Sequence, residues 1–212
     1  IEGIMEFVDG SYKVLANKQI VIDESTNSGD RPDAPADVGG ELKAASFNVL
    51  TYFSTIDVSG AGSGPNNLDP RGADNEAELI RQTDKLVNAI LTIDADVLGL
   101  QEIENGGFGE GSAIGLLVEK LNEVAGEGTY DFIDPTADEG FIGTDAISTG
   151  IIYKPAVLKP VASDFLVFEE ASAATTYDLA EPLNAVSDRE VGDFQRSRPA
   201  VAATFEEIGT NE

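Results

Sequence analysis

Two stretches of helical period, set among apolar runs too short to be helices, constrain this chain more than anything else in it. Between residues 75 and 92 the side chains of Leu79, Leu86, Ile90 and Ile93 fall on one face, with Thr83 between them. Asp74 or Asn75 is placed to cap that helix, and Glu76 and Glu78 favour its first turn. Between 113 and 125 a second stripe is formed by Ile114, Leu117, Val118, Leu121 and Val124, opened by Ser112 and stopped by Gly126 and Gly128. The short runs at 42–50, 96–101, 130–133, 147–153, 157–168 and 199–205 read as strands. Strand, helix, strand, helix and then several strands implies an α/β fold of the α+β sandwich type, a mixed sheet with helices packed on it.

Upstream the pattern is different. Residues 4–9 and 11–15 flank a turn at Asp9-Gly10 and read as a hairpin, with a further short strand at 19–23. So few strands cannot bury a core alone, so 1–23 is expected to be the end of a preceding β domain. Residues 24–41 are polar and rich in turn formers, close with Gly39-Gly40, and read as a linker. The main domain is therefore expected at 42–212. Residues 57–73 and 106–111 are loops, and 169–197 is a long polar excursion between strands. The chain begins with Ile1 rather than Met, and nothing after the last expected strand can close the domain. Both features lead to the expectation of a fragment.

Composition limits the chemistry. There is no cysteine and no histidine, which excludes thiolate zinc sites, disulfides and any histidine-assisted nucleophile within these residues. The net charge of −26, from 39 acidic and 13 basic residues, repels polyanions over most of the surface. It suits solubility, or work in salt, where screening is short-ranged. A site for a polyanion must therefore recruit metal ions or a local arginine cluster. No apolar run is long enough to span a bilayer.

Two strand ends carry chemistry. Asn48 interrupts the apolar run Ser46-Phe47-Asn48-Val49-Leu50, and the run 96–101 delivers Glu102 to its C-terminal end, where sheets place active sites. Taken alone, Asn48 is most simply a buried amide bonded to backbone, and Glu102 a solvated strand cap. Together they offer an amide oxygen and a carboxylate, the kind of shell that Mg²⁺ accepts while water and phosphate complete it. Such an ion supplies the positive charge that the surface lacks.

Ala44-Ala45-Ser46-Phe47-Asn48-Val49-Leu50 followed by Asp96-Val97-Leu98-Gly99-Leu100-Gln101-Glu102 resembles the opening of the endonuclease/exonuclease/phosphatase superfamily. Further stretches resemble the large extracellular bacterial nucleases of that superfamily. They are Arg71-Gly72-Ala73-Asp74, Arg81-Gln82 with Lys85, Glu102-Ile103-Glu104-Asn105, Gly143-Thr144-Asp145-Ala146-Ile147, Ile152-Tyr153-Lys154-Pro155 and Arg198-Pro199. The resemblance covers roughly residues 30–205, the first part of a four-layer αββα domain.

The resemblance implies that Asn48 and Glu102 hold a divalent cation, Mg²⁺ first and Ca²⁺ or Mn²⁺ as alternatives. It implies that Arg196 and Arg198, which precede a strand, contact substrate phosphate, although ordinary surface arginines look the same. Glu104 stands where some nuclease relatives have a basic residue, either behind the metal ligands or, more simply, as a solvated acid. Asp145 is suited to positioning a loop through bonds from its side chain to the backbone, and Tyr153 to core packing at the edge of the site; the alternative for both is a place behind the metal ligands. The family's histidine, Asp-x-Asn pair and terminal Asp-His pair have no counterparts here, so the catalytic residues are expected beyond Glu212 and the chain by itself is expected to be inactive and at best marginally stable.

The implied function of the intact protein is metal-assisted hydrolysis of extracellular DNA, and of RNA as a second substrate, in an extracellular or periplasmic setting. The alternatives are a phosphatase or sphingomyelinase on the same scaffold, a binding module that keeps the fold without the chemistry, and a calcium-binding acidic surface protein. For the last, no EF-hand-type loop is present.

Overall fold

The computed structural model describes residues 2–8, 10–20, 35–136, 140–166 and 199–209. Arg196, Arg198, the excursion at 169–197 and the expected strand residues 21–23 lie outside the described residues. The chain divides into two compact units, Ile1–Ala36 and Asp37–Glu212.

In the first unit, β1 (Gly3–Val8) pairs antiparallel with β2 (Ser11–Ala16), in register from Gly3↔Ala16 to Val8↔Ser11. Gly10 takes the left-handed conformation (φ 75°) that so tight a turn requires. Gln19 and Ile20 stand outside any strand, which corrects the start of the strand expected at 19–23.

The second unit is built on a sheet of order β3-β4-β6-β5. Its strands are β3 (Ala44–Tyr52), β4 (Val97–Glu104), β5 (Asp131–Phe132) and β6 (Ile147–Tyr153). β3 and β4 run parallel, and β6 is antiparallel to both β4 and β5. A parallel pair needs a crossover, and α1 (Glu76–Ile93) provides it. The cap of α1 is Asn75, whose side chain accepts from the Glu78 amide at 3.0 Å. α1 stops at Asp94, a left-handed residue whose N–H returns to the Ile90 carbonyl.

α2 (Ala113–Ala125) is capped by Ser112, which accepts from the Gly115 amide. Its stripe is Ala113, Ile114, Leu117, Val118 and Leu121. Val124, expected on that stripe, is instead exposed. It lies in the last turn of the helix. α2 approaches the sheet closely at Gly150 of β6, where an added Cβ would stand 2.9 Å from Ile114 Cδ1.

Period-two alternation gives the sheet two different faces. Val49, Leu98, Leu100 and Ile152 pack with Leu86, Val87, Ile90, Leu117 and Leu121 of the helices in the largest core cluster. Each such side chain contributes about 1.5–3 kcal/mol by leaving water. On the other face Val97, Ile151 and Tyr153 pack with Leu158, Val201, Ala203 and Phe205. The last four belong to the antiparallel pair β7 (Leu158–Leu166) and β8 (Ala200–Glu207). Helices, central sheet and the antiparallel pair β7–β8 thus form the layers of an α+β sandwich.

Asp94 and Asp96 close the end of the sheet where β4 begins. Lys154 Nζ lies 2.6 Å from Asp94 Oδ1 and 3.3 Å from Asp96 Oδ1, and Lys43 Nζ 3.0 Å from Asp94 Oδ2. The hydrogen bond from Lys154 is the main reason that the Asp94 carboxyl titrates below its usual range. This cluster fastens strand ends away from Asn48 and Glu102.

Candidate functional site

At the other end of β3 and β4 the two strands lose their regularity at the same level. Asn48 pairs with Gln101, but the next partners are Tyr52 and Ile103, so three residues of β3 face one of β4. Against β6, Gln101 pairs with Thr149 and Ile103 with Ser148, which leaves Glu102 as an extra residue. The inserted residues are left-handed: Leu50 has φ 55°, Thr51 φ 50° and Glu102 φ 62°. None of them is glycine, and a β-branched or bulky residue in this region is a real outlier.

The bulges reset which residues face the helices. Strict alternation from Leu98 and Leu100 would bury Glu102, and from Val49 would bury Thr51. Instead Ile103 and Tyr52 enter the helix-side cluster. Glu102 is released from the core and left half-exposed. It is therefore not the strand end expected from sequence, because β4 continues to Glu104. Asn48 is exposed rather than buried, on the face away from the helices, one residue out of register with Glu102 on the neighbouring strand. Adjacent strands stand about 4.8 Å apart.

The two side chains are held differently. Asn48 Oδ1 accepts the Leu50 amide at 2.8 Å, which fixes the carboxamide and leaves the oxygen a second lone pair. Among the described residues no hydrogen bond or ion pair engages the Glu102 carboxylate. Below them Tyr52 is fully buried and its hydroxyl shares a 3.0 Å bond with Thr83 Oγ1. Burial pushes that phenol up to about 12, against the lowering pull of the Thr83 hydroxyl.

Behind the bulge the chain is tightly satisfied. Glu104 is 4% exposed. Its Oε2 accepts from the Ser54 amide (2.7 Å), Ser54 Oγ (2.9 Å) and the Thr55 amide (3.1 Å), and its Oε1 from Ser63 Oγ (2.7 Å). The simpler expectation of a solvated acid is thus corrected. Glu104 is a buried carboxylate that fastens the chain leaving β3 to the end of β4. Asn105, 1% exposed, does the same for the loop before β6. Its Nδ2 donates to the Ile142 and Asp145 carbonyls, each at 2.9 Å, and its Oδ1 accepts the Ile142 amide at 3.1 Å.

Asp145 accepts from the Ala146 amide and from Arg71 Nη2, both at 2.7 Å, tying the 57–73 loop to the loop before β6. Asn66 Nδ2 adds a 3.1 Å bond to the Thr144 carbonyl. Tyr153 is buried against Phe205 and donates to Asp131 Oδ2 at 3.2 Å. Burial first, then the Asp131 charge, pushes its phenol up to about 12. It lies at the far end of β6 from the bulge, beside Val97 rather than Gln101.

Asn48 and Glu102 fit one kind of metal site and not another. Among the described residues no group of three or more histidine, cysteine or acidic side chains gathers around a point, so a closed, all-protein site is not formed by them. An open site of the Mg²⁺ type, with one or two protein oxygens and the rest water and phosphate, matches a fixed amide oxygen one residue out of register with a carboxylate that no described residue engages.

The sequence singles out Asn48 and Glu102 as candidates, but does not mark Glu104 and Asn105 as the residues that fasten the loops. The signal for the bulges was present: the apolar positions step by three, from Val49 to Tyr52 and from Leu100 to Ile103, on both strands at once.

No protein-family model and no curated protein sequence matches the chain. Among solved structures it is similar to ANGEL2, a 2',3'-cyclic phosphatase, in complex with adenosine-2',3'-vanadate. That likeness has a TM-score of 0.34 and 16% identity over 58% of this chain and 27% of that one. A second ANGEL2 structure gives a TM-score of 0.27 and 20% identity over 41% of this chain and 21% of that one. The chain spans about a quarter of the solved structures it matches. Likeness at this level identifies no family.

Proposed function

We propose that residues 37–212 carry the cation-binding part of a metal-dependent phosphoester hydrolase, with a phosphodiester of DNA or RNA as substrate and Mg²⁺ as the ion. The observation that supports this most is Glu102. A half-exposed carboxylate that no described residue engages is held in a left-handed bulge, one residue out of register with an asparagine whose amide oxygen is already oriented. Backbone strain of this kind costs about 1–3 kcal/mol and persists where function needs it. A solvated strand cap needs neither the bulge nor the matching distortion in β3.

In this reading Asn48 Oδ1 and Glu102 hold the ion, and the carboxylate offsets part of its charge. A bound divalent cation supplies Lewis acidity and charge neutralisation at a phosphate oxygen. Glu104 and Asn105 keep the loops after β3 and before β6 in place around the pair. An extracellular or periplasmic setting belongs to the same reading.

The test uses Mn²⁺ as a paramagnetic probe in ¹⁵N-labelled protein. Broadening is expected to concentrate on the amides of 48–50 and 101–103 and to vanish there in Glu102→Gln. Broadening spread over the acidic surface, or unchanged in Glu102→Gln, overturns the proposal. With the cation present, thymidine para-nitrophenyl phosphate is expected to bind more tightly than para-nitrophenyl phosphate; the reverse order moves the reading to phosphomonoesters.

A further inference from the structure

The bulge in β3 is fastened from outside the sheet. Gln82 lies on α1, and its Nε2 donates to the Leu50 carbonyl at 3.0 Å and reaches the Val49 carbonyl at 3.5 Å. The same Leu50 carbonyl accepts from Thr51 Oγ1 at 2.8 Å. Leu50 in turn donates its N–H to Asn48 Oδ1 at 2.8 Å. One residue therefore receives a helix side chain on its carbonyl and passes its amide to the candidate ligand. Leu50 also has a left-handed backbone (φ 55°) and a 74% exposed side chain, so burial of the leucine does not hold it there. Its hydrogen bonds do, together with the packing of Tyr52 two residues on.

We infer that Gln82 is a positioning residue for Asn48, acting through the Leu50 peptide to hold the amide oxygen in the orientation that a cation requires. The inference rests on the proposed cation site and adds a residue of α1 to it. Without the donor at 82, Leu50 is free to relax toward the β region that a leucine prefers. Its N–H then swings off Asn48 Oδ1, and the carboxamide is free to rotate.

Two variants separate positioning from charge. Gln82→Met keeps the length of the side chain and removes the donor. Gln82→Glu keeps the shape, removes the donor and adds a negative charge, which on electrostatics alone would strengthen cation binding. Both are expected to weaken the focused Mn²⁺ effect at residues 48–50 and 101–103, roughly three- to tenfold, as loss of one hydrogen bond that is used only to orient a ligand would. Hydrogen exchange at the Leu50 amide is expected to accelerate in both.

Ile90→Val, in the buried face of the same helix, serves as the control for a merely structural effect. It lowers stability but is expected to leave Mn²⁺ affinity and Leu50 exchange, measured on folded protein, where they were. If the unsubstituted protein shows no focused broadening, the cation site itself falls and this inference with it. If it does, and Gln82→Met binds Mn²⁺ as before or Gln82→Glu binds it more tightly, the cation site stands and the role of Gln82 is refuted.

Discussion

Replacing Glu102 by glycine separates what this residue does for stability from what it does for binding. Its backbone is left-handed at φ 62°, a conformation that costs an ordinary L-residue roughly 1–2 kcal/mol and glycine almost nothing. Its side chain is half-exposed and bonds to no described residue, so little packing or hydrogen bonding is lost with it. Glycine's greater freedom in the unfolded chain returns about 0.5–1 kcal/mol of that gain. The balance is a variant between unchanged and about 1.5 kcal/mol more stable, a rise in Tm of about 3–6 °C at most for a unit of this size. Removing one negative charge from a chain of net −26 pushes in the same direction. The assay is denaturant unfolding of the two proteins with their slopes compared, together with the Mn²⁺ broadening described above. Glu102→Gly is expected to keep or gain stability and to lose the focused metal effect. A loss of about 1 kcal/mol or more would show that the carboxylate is bonded within the fold, and the reasoning from strain to function would fail.

Glu104 makes the opposite prediction. Glu104→Ala strands two amides and two hydroxyls at the end of β4, at a cost of about 3 kcal/mol or more, read from the shift in the denaturation midpoint; a shift below about 1 kcal/mol would show that water replaces the carboxylate easily. Tyr52 has its folded pKa raised to about 12 from 10.0, so its contribution is complete below pH 10 and is lost as pH rises towards 12. A raised pKa of this size corresponds to about 2–3 kcal/mol, so the alkaline limb of the stability–pH curve is expected to flatten by that order in Tyr52→Phe, while stability near neutral pH changes only by the loss of the Thr83 hydrogen bond.

The regular elements were legible because local chemistry and tertiary packing agree in them. α2 occupies the residues expected, and α1 lies one residue from expectation, because an N-cap and an apolar stripe mark each of them. The bulges show in the sequence only as the three-residue step of the apolar positions and not in turn chemistry, and the reason is physical. Turn chemistry is recognised through glycine or asparagine at left-handed positions, and here leucine, threonine and glutamate occupy them. Tertiary bonds impose that conformation: Gln82 from a helix 32 residues away in sequence from Leu50, and the packing of Tyr52 and Ile103. Glu104 was misread for a related cause. An acidic residue after a strand usually faces solvent, and the four donors that bury this one come from residues 41 to 50 positions away.

Among the described strands β3 stands at the border of its sheet. Such a border invites addition of a foreign strand, the first step towards aggregates, unless its pairing groups are spent or bent away. Here the distortion at Leu50 does both, since its amide is committed to Asn48 and its carbonyl to Gln82 and Thr51. The irregularity at Leu50 thus also removes one residue's pairing groups from that border, so a substitution that straightens β3 would lengthen the edge open to a foreign strand.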